Sequence, residues 1–145
     1  MRDLLYLKDD QIKELIELIL FVYRKTYSDP KNVLKKHSFG KAHQRVLQLI
    51  ERHENISVSE LLKKLKIRKQ SLNRVLKDLC SKKMVIQSKG LLDARQRLLK
   101  LDKEGKKLFD EIFIFQKSKI FDALKNSDAD SVIKFKKVLQ KMANG

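Results

Sequence analysis

Four glycines and one proline in 145 residues are too few turn residues for an all-β fold, and a 42% hydrophobic content is enough for one mainly helical core. A single cysteine excludes an internal disulfide, and the formal net charge of +16, from 34 basic and 18 acidic residues, favours a polyanionic partner. No apolar run follows a basic amino terminus, and Leu15–Tyr23, broken by Glu17, is too short to span a bilayer, so a soluble cytoplasmic protein with no membrane partner is expected.

Ile12, Leu15, Ile16, Ile19, Val22 and Tyr23 recur at the spacing of one helical face. Leu18, Leu20 and Phe21 widen that face almost all round, more than a small monomer can bury. A turn is expected at Ser28-Asp29-Pro30, and a second helix follows Ser38 with Val46, Leu47, Leu49 and Ile50 facing inward. Ser57-Val58-Ser59-Glu60 reads as a capping box, Ser57 accepting from the Glu60 amide and Glu60 reaching back to the amide of Ser57. The helix it opens carries Leu61, Leu62 and Leu65, ends near Lys66, and is followed at Arg68–Gln70 by another that runs through Leu79 or Cys80. Two short helices with a tight joint make a helix-turn-helix.

Met84–Ser88 and Gln96–Leu101 then read as strands joined by a loop holding Lys89, Gly90, Asp93 and Arg95, with a piece around Ile56 as a third strand. Asp102 caps a long helix from Lys103 that carries Leu108, Phe109, Ile112, Phe113, Phe115, Ile120, Phe121 and Leu124. A last helix follows Ser127, with Asp128 and Asp130 at its positive end and Val132, Phe135, Val138, Leu139 and Met142 along one face. The expected fold class is mainly α with a small β-wing: a winged helix-turn-helix lobe flanked by N- and C-terminal dimerisation helices. The expected segments are 1–37 and 103–145 for dimerisation and 38–102 for the lobe, intertwined as one domain overall.

The charge is unevenly placed. Residues 60–100 hold thirteen basic and three acidic residues, a net of +10, whereas 1–37, 38–59 and 101–145 carry only +2, +1 and +3. A uniform lysine bias would not gather the excess in one stretch, so this stretch is the expected polyanion-binding surface. All ten aromatic residues lie at Phe39 or before, or at Phe109 or after. Apolar ends around a basic middle suggest a homodimer interface; the alternative is that they cover the monomer's own core.

On a helical wheel of residues 69–81, Leu72, Val75, Leu76 and Leu79 form one side, and Gln70, Asn73, Arg74, Lys77 and Ser81 the other. Asn and Gln suit the adenine edge in a major groove and Arg suits guanine. The polar face carries no acid, since Asp78 lies on its flank; an ordinary solvated face is the alternative. In the hairpin, Lys89, Arg95 and Arg97 can lie on phosphates, or Arg95 can enter a minor groove. Asp93 would repel phosphate, so its role is either to hold Arg95 by a salt bridge or to fix the turn.

Ile56-Ser57-Val58-Ser59-Glu60-Leu61, Arg68-Lys69-Gln70-Ser71-Leu72-Asn73-Arg74-Val75-Leu76, Asp93-Ala94-Arg95 and Leu101-Asp102-Lys103-Glu104-Gly105 resemble, in order and spacing, the MarR family of transcription regulators, over about residues 10–125. The form Lys-Gln-Ser-Leu-Asn-Arg is similar to the family's PetP-like branch. The resemblance implies a triangular homodimer reading a palindromic double-stranded operator, most often as a repressor. It places Gln70, Ser71, Asn73 and Arg74 in the major groove and matches Asp93 and Arg95 to the family's wing pair; the charge and face of the residues themselves add Lys69 to the groove, Arg68 and Lys77 to the backbone, and Lys89 and Arg97 to the wing. The resemblance also implies a small effector, frequently anionic or aromatic, whose pocket the residues leave unknown; Tyr23, His43 and Arg45 are candidates to line it. Two positions depart from the pattern: Arg68 replaces a Ser or Thr cap, and Lys83 replaces the glycine that closes the recognition helix.

Other signals point elsewhere only weakly. Cys80 falls on the core side of the recognition helix and reads as a buried structural thiol. His37, His43 and His53 lack the spacing of a helical metal site, so no metal or cofactor is expected. No phosphate loop, nucleophile elbow or carboxylate pair suggests an enzyme. The competing readings are a nonspecific architectural DNA-binding protein, a winged-helix protein-interaction module, and an RNA binder; the last lacks aromatics anywhere in 40–108 for stacking bases.

Overall fold

The computed structural model describes residues 4–145, so residues 1–3 of the expected 1–37 segment lie outside the described residues. The chain divides into two compact units, one of Asp29–Phe113 and one formed by the two ends of the chain, up to Ser28 and from Ile114.

The Asp29–Phe113 unit opens on a short segment that periodicity does not reveal. The Asp29 carboxylate accepts from the Leu34 and Lys35 amides at 2.9 and 3.1 Å, which seats a one-turn helix α1 at Val33–Lys36 behind Pro30. Leu34 and Phe39 from this segment enter the core. Helix α2 (Lys41–Arg52) buries Val46, Leu47 and Ile50, strand β1 (Ile56–Ser57) follows, and helix α3 (Val58–Leu65) buries Val58 and Leu61. Only one half of the expected capping box forms: the Glu60 amide donates to Ser57 Oγ at 3.1 Å.

Helix α4 (Lys69–Ser81) packs Leu72, Val75, Leu76 and Leu79 inward. It ends in a Schellman turn, in which the Met84 amide donates to the Leu79 carbonyl at 2.8 Å and the Lys83 amide to the Cys80 carbonyl at 3.1 Å. Lys83 sits in left-handed geometry there, at φ 61°. Strands β2 (Val85–Lys89) and β3 (Arg97–Leu101) make the hairpin, each within a residue of expectation. β3 is central in an antiparallel sheet of order β1-β3-β2, with Ile56 opposite Leu99 and Lys89 opposite Arg97.

Helix α5 (Lys103–Lys125) starts beside this sheet, and Leu108 and Ile112 complete the core. The start is tight: the Asp102 amide donates to the Met84 carbonyl at 2.9 Å, and a Cβ on Gly105 would lie 2.0 Å from that same oxygen. Glycine at this position is therefore a packing requirement. It explains the Gly that closes the Leu101–Gly105 motif.

The other unit holds helix α0 (Asp9–Thr26), the second half of α5 and helix α6 (Ala129–Asn144). Asp128 caps α6, accepting from the Ser131 hydroxyl at 2.7 Å and the Ser131 amide at 3.0 Å. Those bonds, the hydroxyl's first, hold its carboxyl below the ordinary value. No residue of α0 or α6 is buried in the single chain: Ile16 is 61% exposed, and Phe135 is 54% exposed. Among the described residues, no helix is long and apolar enough to cross a membrane.

Candidate nucleic-acid interface

The site is built on the second helix of the helix-turn-helix. Lys66, at φ 53° and ψ 42°, turns the chain between α3 and α4 while its amide still bonds the Leu62 carbonyl at 2.9 Å. Arg68 occupies the N-cap of α4 in extended geometry and supplies no side-chain cap. With four apolar side chains in the core, α4 turns Lys69, Gln70, Ser71, Arg74 and Lys77 outward, fully on the surface, and leaves Asn73 half-buried. Amide, hydroxyl and guanidinium groups thus share one face without a carboxylate.

The acid on the flank is engaged elsewhere. Asp78 Oδ2 lies 3.0 Å from His43 Nε2, and the other ring nitrogen, Nδ1, accepts from the Gly40 amide at 3.0 Å. That acceptor role leaves Nε2 carrying the proton it donates to Asp78. The His43 ring stacks on Phe39 with centroids 4.7 Å apart. This chain of contacts ties the start of α2 to the recognition helix. Nothing local in the sequence signals it, because its members lie 35 positions apart. Cys80 is half-buried rather than fully buried, with Gln87 Nε2 3.5 Å from its sulfur.

The wing is closed by short-range bonds. The Gly90 amide donates to the Gln96 carbonyl at 2.9 Å, and the Gln96 amide to the Asp93 carbonyl at 3.0 Å. Asp93 Oδ1 accepts the Arg95 amide at 3.0 Å and faces Arg95 Nε at 3.4 Å, so it both fixes the turn and pairs the cation. The pair is exposed and adds little stability, but it orients a guanidinium whose side chain is 94% exposed.

Several of the expected residues converge. Arg97 Nη2 donates to Asn73 Oδ1 at 3.3 Å, joining the wing base to the recognition face. Lys69, Arg95 and Arg97 line one cleft of about 190 Å³ together with Ser57 and Ser59. Lys89 lies across the strand pair from Arg97. Three cations thus line one cleft beside the exposed Ser59, while Ser57 is buried and its hydroxyl caps α3. Gln70, Ser71, Arg74 and Lys77 stand apart from this cleft, along the exposed side of α4.

A helix-turn-helix with an acid-free outer face, followed by a cationic two-stranded wing, defines a winged helix-turn-helix DNA-binding protein. Residues 41–96 match the model of the MarR family. The chain is 35% identical over 139 residues to the HTH-type transcriptional regulator PetP of Rhodobacter capsulatus, an alignment that covers 96% of this chain and 84% of that protein. The apo form of MarR from E. coli superposes with a TM-score of 0.63 at 26% identity, over 88% of this chain and 95% of that one. NadR in complex with 4-hydroxyphenylacetate superposes with a TM-score of 0.75 at 20% identity, over 99% and 98%. The chain belongs to the MarR family of winged helix-turn-helix, DNA-binding transcription regulators.

Proposed function

We propose that the protein is a cytoplasmic homodimeric repressor that reads a palindromic double-stranded DNA operator. Gln70, Ser71, Asn73 and Arg74 contact base edges in the major groove, with Lys69 beside them. Arg68 and Lys77 contact the backbone, and Lys89, Arg95 and Arg97 hold the wing on phosphates while Asp93 orients Arg95. The observation that carries this reading is the Arg97–Asn73 bond, which joins a wing cation to an amide on the outer face of α4. Of the expected dimerisation segments 1–37 and 103–145, the parts outside the Asp29–Phe113 unit form the dimer interface, a role supported by the exposed apolar faces of α0 and α6, whereas Leu34, Leu108 and Ile112 belong to the core of the lobe. A small aromatic or anionic effector modulates binding, as NadR's complex with 4-hydroxyphenylacetate suggests by analogy. No catalytic step and no cofactor enter this reading.

Selection of bound sequences from a random duplex pool at physiological salt tests it. The expected product is a palindrome with half-sites about one helical turn apart. A nonspecific architectural protein would enrich no motif and lose affinity steeply as salt rises. A protein-docking module needs apolar anchors on its recognition face, and the face of α4 carries none.

A further inference from the structure

The tip of the wing carries a feature that phosphate binding does not use. Leu91 and Leu92 are 101% and 103% exposed, more than any other large hydrophobic residue described. Such side chains usually collapse onto the nearest apolar surface. Here the loop holds them out. The two backbone bonds between Gly90, Asp93 and Gln96 close it from below, and Asp93 ties down its far side through Arg95. Gly90 is buried under the loop, where a Cβ would meet the Asp93 carbonyl at 2.6 Å and Gln96 Oε1 at 2.8 Å. The two leucines are therefore presented by a built turn flanked by Lys89 on one side and Arg95 and Arg97 on the other.

We propose that Leu91 and Leu92 form an apolar wedge that enters the minor groove of bound duplex DNA and partly unstacks a base step. The inference rests on the DNA-binding reading above. Charge complementarity selects the occupant: the cations of the same hairpin match the phosphates that rail the groove, and the dry target between those rails is the stacked face of a base step. Apolar side chains inserted in this way kink a duplex by about 20–90° toward the major groove. The wedge thus gives the wing a structural task, deforming the operator, and gives the protein a preference for easily unstacked pyrimidine–purine steps beneath the tip.

The test uses the full-length protein and a duplex enriched from the random pool, labelled at both ends for energy transfer and carrying 2-aminopurine at successive positions outside the major-groove half-sites. If the pool enriches no motif, a mixed-sequence duplex at low salt serves, so failure of the operator reading stays separate from failure of the wedge. Wild-type protein is expected to shorten the end-to-end distance and to raise 2-aminopurine fluorescence at one step per wing. The L91S/L92S variant is expected to keep its circular dichroism spectrum and the half-site motif under α4, while the pyrimidine–purine preference beneath the tip relaxes and both signals fall to those of free DNA. L91M/L92I, which restores apolar volume, is expected to restore them. Bending and fluorescence that are the same in wild type and L91S/L92S, or 2-aminopurine that stays quenched with wild type, would overturn the proposal and point to a protein partner for the leucines.

Discussion

Arg97, at the start of β3, donates a hydrogen bond of 3.3 Å to the side-chain carbonyl of Asn73, a third of the way along the recognition helix. The bond leaves the Asn73 amide nitrogen and a second lone pair on Oδ1 available, the donor and acceptor that adenine N7 and N6 require. In the proposed reading, this bond orients Asn73 before DNA arrives. Its half-buried position fits such a fixed orientation.

Arg97→Ala should therefore do more than remove a cation. Affinity for the selected duplex is expected to fall by about 1 kcal/mol or more, and preference should relax at the base Asn73 reads. Arg97→Lys retains charge without the planar fork and should rescue affinity better than preference. Competition binding against single-base variants of the duplex separates the two. An even loss across all variants would make Arg97 a phosphate contact alone.

Lys83 closes the recognition helix at φ 61°, where a side chain is strained. Lys83→Gly is expected to stabilise the fold by about 1 kcal/mol in denaturant unfolding. A loss of stability would mean that the lysine side chain offsets the backbone strain.

Gly105→Ala drives a Cβ toward the Met84 carbonyl, 2.0 Å from where it would sit, and that carbonyl already accepts from Asp102. Forcing α5 away from the sheet should cost about 1–3 kcal/mol, seen as a lowered unfolding midpoint. An unchanged midpoint would show that the joint relaxes freely.

Ile16 and Phe135 keep more than half of their surface exposed in the single chain. Light scattering of the wild-type protein is expected to give the mass of a dimer, and Ile16→Glu with Phe135→Glu that of a monomer or an aggregate. A monomeric wild type at micromolar concentration would remove the dimer from the proposed function.

How much of this was legible beforehand depends on range in the chain. The two faces of α4 could be read directly, because a thirteen-residue helix repeats its pattern almost four times at a 3.6-residue period. The Ser57 cap and the Asp93 turn were visible for the same reason: their partners lie two or three residues away. The one-turn helix Val33–Lys36 is too short to show a period. The His43–Asp78 and Arg97–Asn73 contacts span 35 and 24 positions and depend on how elements pack. The leucines of the wing tip carry no signal in the sequence, because an apolar residue in a loop signals nothing until its exposure is known.

The central claim is that α4 reads sequence while the wing grips the backbone. It is tested most directly by comparing wild type and Arg74→Ala on the selected duplex and on a scrambled one across a salt series. Arg74→Ala is expected to lose about 1–3 kcal/mol on the selected duplex for each base it reads, with little change on the scrambled one and a salt slope reduced by about one contact at most. Equal losses on both duplexes would contradict the claim and make α4 one more cationic surface on a nonspecific binder.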